Sequence, residues 1–343
     1  MTPQLSARAR QPPRKPWSLE CLLEQRAIAL GMALKSSTAS AYQSHFNSYL
    51  TFCCLHNFPL NPTPDTLSFF IVYMSAFIKP QSIHTYLSGI VSTLEPHFPE
   101  VRKNCTSTIV ACTLTGCIKM RGSDASRKLP LSTSDLQLLQ NVYGTSDQHD
   151  NILFLCITFI GFHGLLRLGE LVMHDNPKLR SMRKAVKRYT VMFHEEPHHV
   201  SFKLPMHKAD RLYEGSTVVI EQRNSDLDPL AILRRYLDSR DRLHKWHPLL
   251  WLCESGTPPS RSWYIQRLRK HFSHEYAGHS LRSGGATALA LANISADRIR
   301  LAGRWSSDTF QIYIRKNLVL LNAIISGGAA FNQGPRNSCS PPS

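Results

Sequence analysis

From Ser18 to about Lys119 the apolar residues recur at intervals of three and four, the period of an α-helix packed along one face. Leu19, Leu22, Leu23 and Ala27 make one such stripe, and Tyr42, Phe46, Tyr49, Leu50 and Cys53 make the next, with Ser37 or Thr38 as its expected cap. The segment NPTPDTLSFFIVYMSAF has a proline-rich entry, a capping Thr63 or Asp65, and an apolar face. After Pro80, SIHTYLSGIVSTLEPHF predicts a further helix that ends at the Pro96 break, with Ser82 read as a plain cap. A bundle of about four or five short helices follows from this pattern.

Between Ile118 and Leu131 (IKMRGSDASRKLPL) the apolar period is lost, and Lys, Arg, Gly and Ser concentrate there. Ser132 and Thr133 then cap a predicted helix over Leu136–Val142, and 151–162 reads as a buried helix. Gly164 restarts a shorter helix expected to bear Arg167. Only beyond it does the period fall to two. Tyr189–Phe193, Val200–Leu204 and Thr217–Ile220 are strand candidates, and helical spacing returns from Pro229. The expected fold is mainly α: a helical bundle over 18–119, a linker over 120–131, and an α+β domain over 132–326 with a small antiparallel three-stranded sheet. The basic, proline-rich 1–17 and the tail 327–343 are expected to be disordered.

Charge narrows the partner. Forty Lys and Arg against 24 Asp and Glu leave a formal net charge of +16, which favours a polyanion such as nucleic acid. Arg8, Arg10, Arg14 and Lys15 suit either a nuclear-import patch, a DNA-touching arm or a solvated tail. The nine cysteines are odd in number and form no CxxC pair, which fits reduced thiols in a cytosolic or nuclear protein. Cys105, Cys112 and Cys117 lack a compact zinc spacing, and His194, His198 and His199 read as solvated histidines, so no metal is expected. No membrane span is expected either, since the longest apolar run is broken by Thr158 and His163 before reaching Arg167 and Glu170. The N-terminus has no continuous apolar region of the kind a signal peptide carries.

A set of residues suited to a phosphodiester runs through the second half. Arg167 and Arg282 are forked, permanently charged donors able to hold two phosphate oxygens each. Glu170, three residues after Arg167, is expected on the same helical face, where it fixes the guanidinium. His279 and Arg282 open the helix HSLRSGGATALALAN, whose N-terminus itself favours an anion. Lys208, in a predicted hairpin turn, can protonate a departing alkoxide, with Lys203 on the preceding strand as the competitor. Trp305 offers an indole N–H, and Tyr313 a phenol that ordinarily titrates near about 10 and needs cationic neighbours to attack at neutral pH. Taken singly, each has an ordinary structural role: a surface ion pair, a turn lysine, a packing tryptophan.

Together the blocks GLLRLGEL, HKADRLYEG, GHSLRSGGATALA and LAGRWSSDTFQIYIR resemble, in order and rough spacing, the motifs of the tyrosine recombinases, the integrase class. The segments SSTASAYQSHFNSYLTFC and PQSIHTYLSGI resemble that family's helical, SAM-like core-binding domain. The resemblance implies DNA cleavage and rejoining through a 3′-phosphotyrosyl link. Tyr313 would be the nucleophile and Lys208 the acid, with Arg167, Arg282, His279 and Trp305 as phosphate donors. No cofactor, metal or small-molecule substrate is implied; the implied partners are double-stranded DNA and three further copies, in a tetramer on two duplexes. Trp305 stands where the family usually has a second histidine, and the interval to Tyr313 is slightly short. In this GRWSSDTF…Y is more similar to recombinases of eukaryotic mobile elements of the Crypton or DIRS type, which would act in the nucleus; a prokaryotic member would be cytoplasmic. The alternative reading is a catalytically inactive DNA-binding descendant, and a type IB topoisomerase fits the helical N-terminal part and short length poorly.

Overall fold

A computed structural model describes residues 15–32, 36–122, 128–196, 198–205 and 215–305 of the 343. The chain divides into two compact units, Met1–Ala125 and Ser126–Ser343.

The first unit is helical. Its elements are α1 (Leu19–Met32), α2 (Ser36–His56), α3 (Pro64–Met74), α4 (Pro80–Leu94), α5 (Val101–Cys105) and α6 (Thr108–Arg121). α2 packs on α4 and α3 on α6, around Tyr49, Phe52, Leu67, Phe70, Ile71, Ile83 and Ile90. Thr63 caps α3 by accepting from Thr66 N–H, as its sequence position predicts. Three local expectations differ. Ser37 and Thr38 lie inside the first turn of α2, because the helix already starts at Ser36. Ser82 sits within α4, whose N-cap is Lys79; the Ser82 N–H donates to Lys79 O. The α1 stripe is not core, for Leu19 is 72 % exposed and Leu22 and Leu23 are exposed too.

The second unit is built on α8. It comprises α7 (Thr133–Tyr143), α8 (His149–His163), α9 (Leu168–Leu171), β1 (Met192–Glu195), β2 (His198–Leu204), β3 (Ser216–Glu221), α10 (Pro229–His244), α11 (Arg261–Leu268), α12 (Ser280–Leu291) and α13 (Ala296–Ala302). Nearly every α8 side chain from Ile152 to Phe162 is buried, because α7, α10 and α12 cover it from several sides. A helix apolar all round demands this kind of surrounding. Ser132 and Asp135 form a reciprocal capping box that starts α7. The sheet has the order β1-β2-β3 with both pairs antiparallel. Val200, Phe202 and Leu204 turn inward while Lys203 faces out, which is the alternation visible in the sequence.

The first strand begins later than its β-branched run suggests. Arg188–Thr190 forms a 3-10 turn in which Thr190 Oγ1 bonds back to Lys187 O, so pairing starts at Met192. His194 and His199 are not simply solvated: they face each other across β1 and β2 with rings stacked 4.2 Å apart, and His194 Nε2 meets Ser201 Oγ at 2.9 Å. Among the described residues no helix is long and apolar enough to cross a membrane, and no cluster of His, Cys, Asp and Glu has metal-site form.

Close backbone approach sets α12 on α8. A Cβ at Gly285 would lie 2.0 Å from Phe162 O, and one at Gly284 would lie 2.2 Å from Leu131 O. Gly285→Ala is therefore expected to destabilise this unit by about 1–3 kcal/mol, since backbone cannot yield as a side chain does. Gly169→Ala, where an added Cβ meets nothing within 4 Å, is expected to be nearly neutral in the same urea denaturation series.

Candidate phosphate-binding site

α8 ends at a tight turn that reverses the chain into α9. Leu165 takes a left-handed backbone (φ 50), and Leu166 N–H reaches back to Gly161 O. The strain of a bulky residue there is offset by what its carbonyl receives. Leu165 O accepts from Arg282 Nη1 at 2.8 Å and from Arg304 Nη2 at 3.3 Å. Two arginines remote in sequence are thus seated on one backbone oxygen.

Arg167 follows directly, and here the helical expectation fails. It is the extended N-cap of α9 rather than a helical residue, so its contact with Glu170 is not a pair along one helix face. The contact itself is closer than such a pair. Glu170 Oε1 accepts from Arg167 Nη1 at 3.0 Å, and Oε2 accepts from Arg167 N–H at 3.0 Å. The carboxylate holds both ends of the residue and is almost fully buried.

Arg282 enters from the first turn of α12 and is only 1 % exposed. Besides Leu165 O it donates through Nη2 to Gly303 O, and its Cζ stands 4.0 Å over the Trp305 ring. Gly303 is required beneath that ring, for a Cβ there would lie 1.5 Å from Trp305 Cζ3. Trp305 also packs against Leu165, Ala286 and Ile299, so it is at once a packing residue and one wall of the Arg282 pocket. An arginine carries five donors, and the two that meet carbonyls set the plane of the group.

His279 is the N-cap of α12 and keeps a solvent-facing surface. The protein around it, then Arg282, then Arg167 push its pKa below the ordinary histidine value. Those causes place the imidazole within the field of both guanidiniums and keep it neutral at pH 7.

Arg304 was not singled out by sequence. Its Nη2 also meets Gly164 O at 3.1 Å and stands 4.0 Å from Glu170 Oε2. Burial lowers its pKa, Glu170 raises it and Arg167 lowers it, so Glu170 serves two guanidiniums. The available signal was a third arginine beside the indole. Lys203 projects from β2 on its exposed face. Lys208 and Tyr313 lie outside the described residues, as does the turn around Lys208.

The described members therefore converge on the α8–α9 turn: Arg167, Arg282 and Arg304, one carboxylate, a neutral imidazole and an indole. Such an excess of fixed positive charge over carboxylate suits an anion with several oxygens. Glu170→Ala is expected to cost about 2–3 kcal/mol in urea denaturation, because Arg167 loses two bonds and Arg304 its nearest counter-charge. Glu170→Gln, which keeps an acceptor without the charge, is expected to fall between.

Neither a protein-family model nor a curated protein sequence matches the chain. Solved structures do. A Tn1549 transposon integrase in complex with transposon right end DNA superposes with a TM-score of 0.54 at 13% identity, over 90% of this chain and 99% of that one. A XerH site-specific recombinase bound to palindromic difH substrate gives 0.52 at 14% identity, over 84% and 78%. A lambda integrase dimer bound to a COC′ core site gives 0.50 at 17% identity, over 86% and 94%. At such identities the likeness is one of fold: mainly helical with a small three-stranded antiparallel sheet, the architecture shared with those solved structures.

Proposed function

We propose that this protein cleaves and rejoins DNA strands, with Tyr313 as nucleophile. The observation that carries the reading is the convergence of Arg167, His279 and Arg282 on one turn, with Trp305 against Arg282. A scissile phosphate gains negative charge on its non-bridging oxygens as a fifth ligand arrives, and donors held nearby by the fold stabilise that charge. The similarity in fold to DNA-bound integrases supports the same reading.

In the proposed step the Tyr313 phenolic oxygen bonds to phosphorus while the bond from phosphorus to the 5′-oxygen breaks. The neutral imidazole of His279 takes the phenol proton, and Lys208 supplies a proton to the leaving 5′-oxygen. Lys203 is the competing acid. The phosphodiester energy stays in the 3′-phosphotyrosyl bond, so an incoming 5′-hydroxyl reverses the step without a nucleotide cofactor. Exchange between two duplexes calls for a tetramer of this chain. The block GRWSSDTF…Y supports a mobile-element origin of the Crypton or DIRS type, and with Arg8, Arg10, Arg14 and Lys15 it supports action in the nucleus.

Nicked suicide duplexes, drawn from the boundaries of the protein's own gene and from a randomised pool, test the reading in EDTA. The expected product is an SDS-resistant protein–DNA complex that is lost in Tyr313→Phe. DNA that is bound but never linked would establish the alternative, a catalytically inactive DNA-binding protein. The pH dependence has a defined sign. His279 titrates below the usual value of about 6.5, so cleavage is expected to hold at pH 7 and to fall only at more acidic pH, as the base is protonated through that lowered pKa. In His279→Gln the rate should drop about 100-fold and that acid limb should vanish from the single-turnover profile.

A further inference from the structure

Arg304 does more than its local packing requires. It stands between Gly303, whose backbone oxygen receives Arg282, and Trp305, whose ring covers Arg282. Its own backbone is left-handed, with φ 55, a conformation that costs a non-glycine residue on the order of 1 kcal/mol. The side chain spans back to the α8–α9 turn, where Nη2 takes both Gly164 O and Leu165 O, while Nη1 meets Ala302 O at 3.1 Å. Its outer face closes over Glu170, leaving the arginine side chain 11 % and the carboxylate 7 % exposed.

The geometry points to Arg304 as a positioning residue: its fork ties the Gly303–Trp305 segment to the α8–α9 turn, so that Trp305 stays against Arg282 and Glu170 keeps its hold on Arg167. The consequence for catalysis rests on the cleavage reading above, whereas the tie between the two segments does not. Arg304 touches no reacting atom in this scheme. It sets two of the groups that do, and misplacement of such groups by about 1 Å costs about 100-fold in rate. A lysine cannot replace it, since one ammonium on a mobile stem does not hold Ala302 O and the turn carbonyls together as Nη1 and Nη2 do.

Full-length protein labelled with 5-fluorotryptophan tests this, as the chain has five tryptophans and Trp305→Phe identifies the Trp305 signal. Three variants are compared with wild type: Arg304→Gln, Arg304→Lys, and Arg304→Gly, which suits the left-handed backbone and so keeps the fold while removing the fork. The expected result is that all three displace the Trp305 fluorine resonance and leave those of Trp17, Trp246, Trp251 and Trp263 in place. Covalent-complex formation should slow about 10- to 100-fold. An unmoved Trp305 resonance overturns the proposal. Full restoration by Arg304→Lys overturns it too, because charge alone would then account for the residue. If wild-type protein links to no DNA, the cleavage reading falls, and the resonance still decides whether Arg304 holds Trp305.

Discussion

The carbonyl of Leu165 is the point on which the site hangs. A backbone oxygen normally serves one donor within its own element, but the left-handed turn after α8 directs this one outward to two arginines from the C-terminal part of the chain. The turn is held in its own right by the burial of Leu165 and Leu166 and by the bond from Leu166 N–H to Gly161 O. α12 delivers Arg282 to it through the glycine contact with Phe162, and the residues after α13 deliver Arg304 and Trp305. The apolar core around α8 thereby becomes the reference frame for a charged site.

That site is electrostatically unbalanced by construction. Arg167 and Arg304 share one buried carboxylate, and burial, then Arg282 and Arg167, hold His279 below its ordinary pKa. Like charges brought together out of water are costly unless an anion is to be received. Carbonyl partners, the indole face and Glu170 offset part of that cost and fix the planes of the arginines. Under the cleavage reading the rest is offset when a phosphate arrives, and most strongly when it becomes pentacoordinate.

How much of this the sequence disclosed follows from what each feature depends on. Period and caps are local, so the alternation of Val200, Phe202 and Leu204, the Ser132 box and the Thr63 cap were all legible. The pairing of Arg167 with Glu170 was legible as a contact but not as a geometry. The left-handed residue that moves Arg167 out of the helix is Leu165, not the Gly164 beside it, which residue type would not suggest. The Tyr189 run becomes a strand only from Met192, because Thr190 bonds back to Lys187 O, a competition that residue pattern does not record. Arg304 was missed for a related reason: its role comes from a positive φ and from carbonyls some 140 residues away. Lys208 and Tyr313, found by motif alone, lie outside the described residues, and their roles stay proposals.

The most direct test is to identify the protein atom joined to DNA. Trapped protein–DNA adduct, digested with nuclease and protease, would be sequenced by mass spectrometry for a nucleotide-bearing peptide. The account predicts a 3′-phosphonucleotide on the oxygen of Tyr313 and on no other residue, formed equally in EDTA. A nucleotide on a different side chain, a 5′-phosphate linkage, or an adduct that forms only with added metal would contradict it.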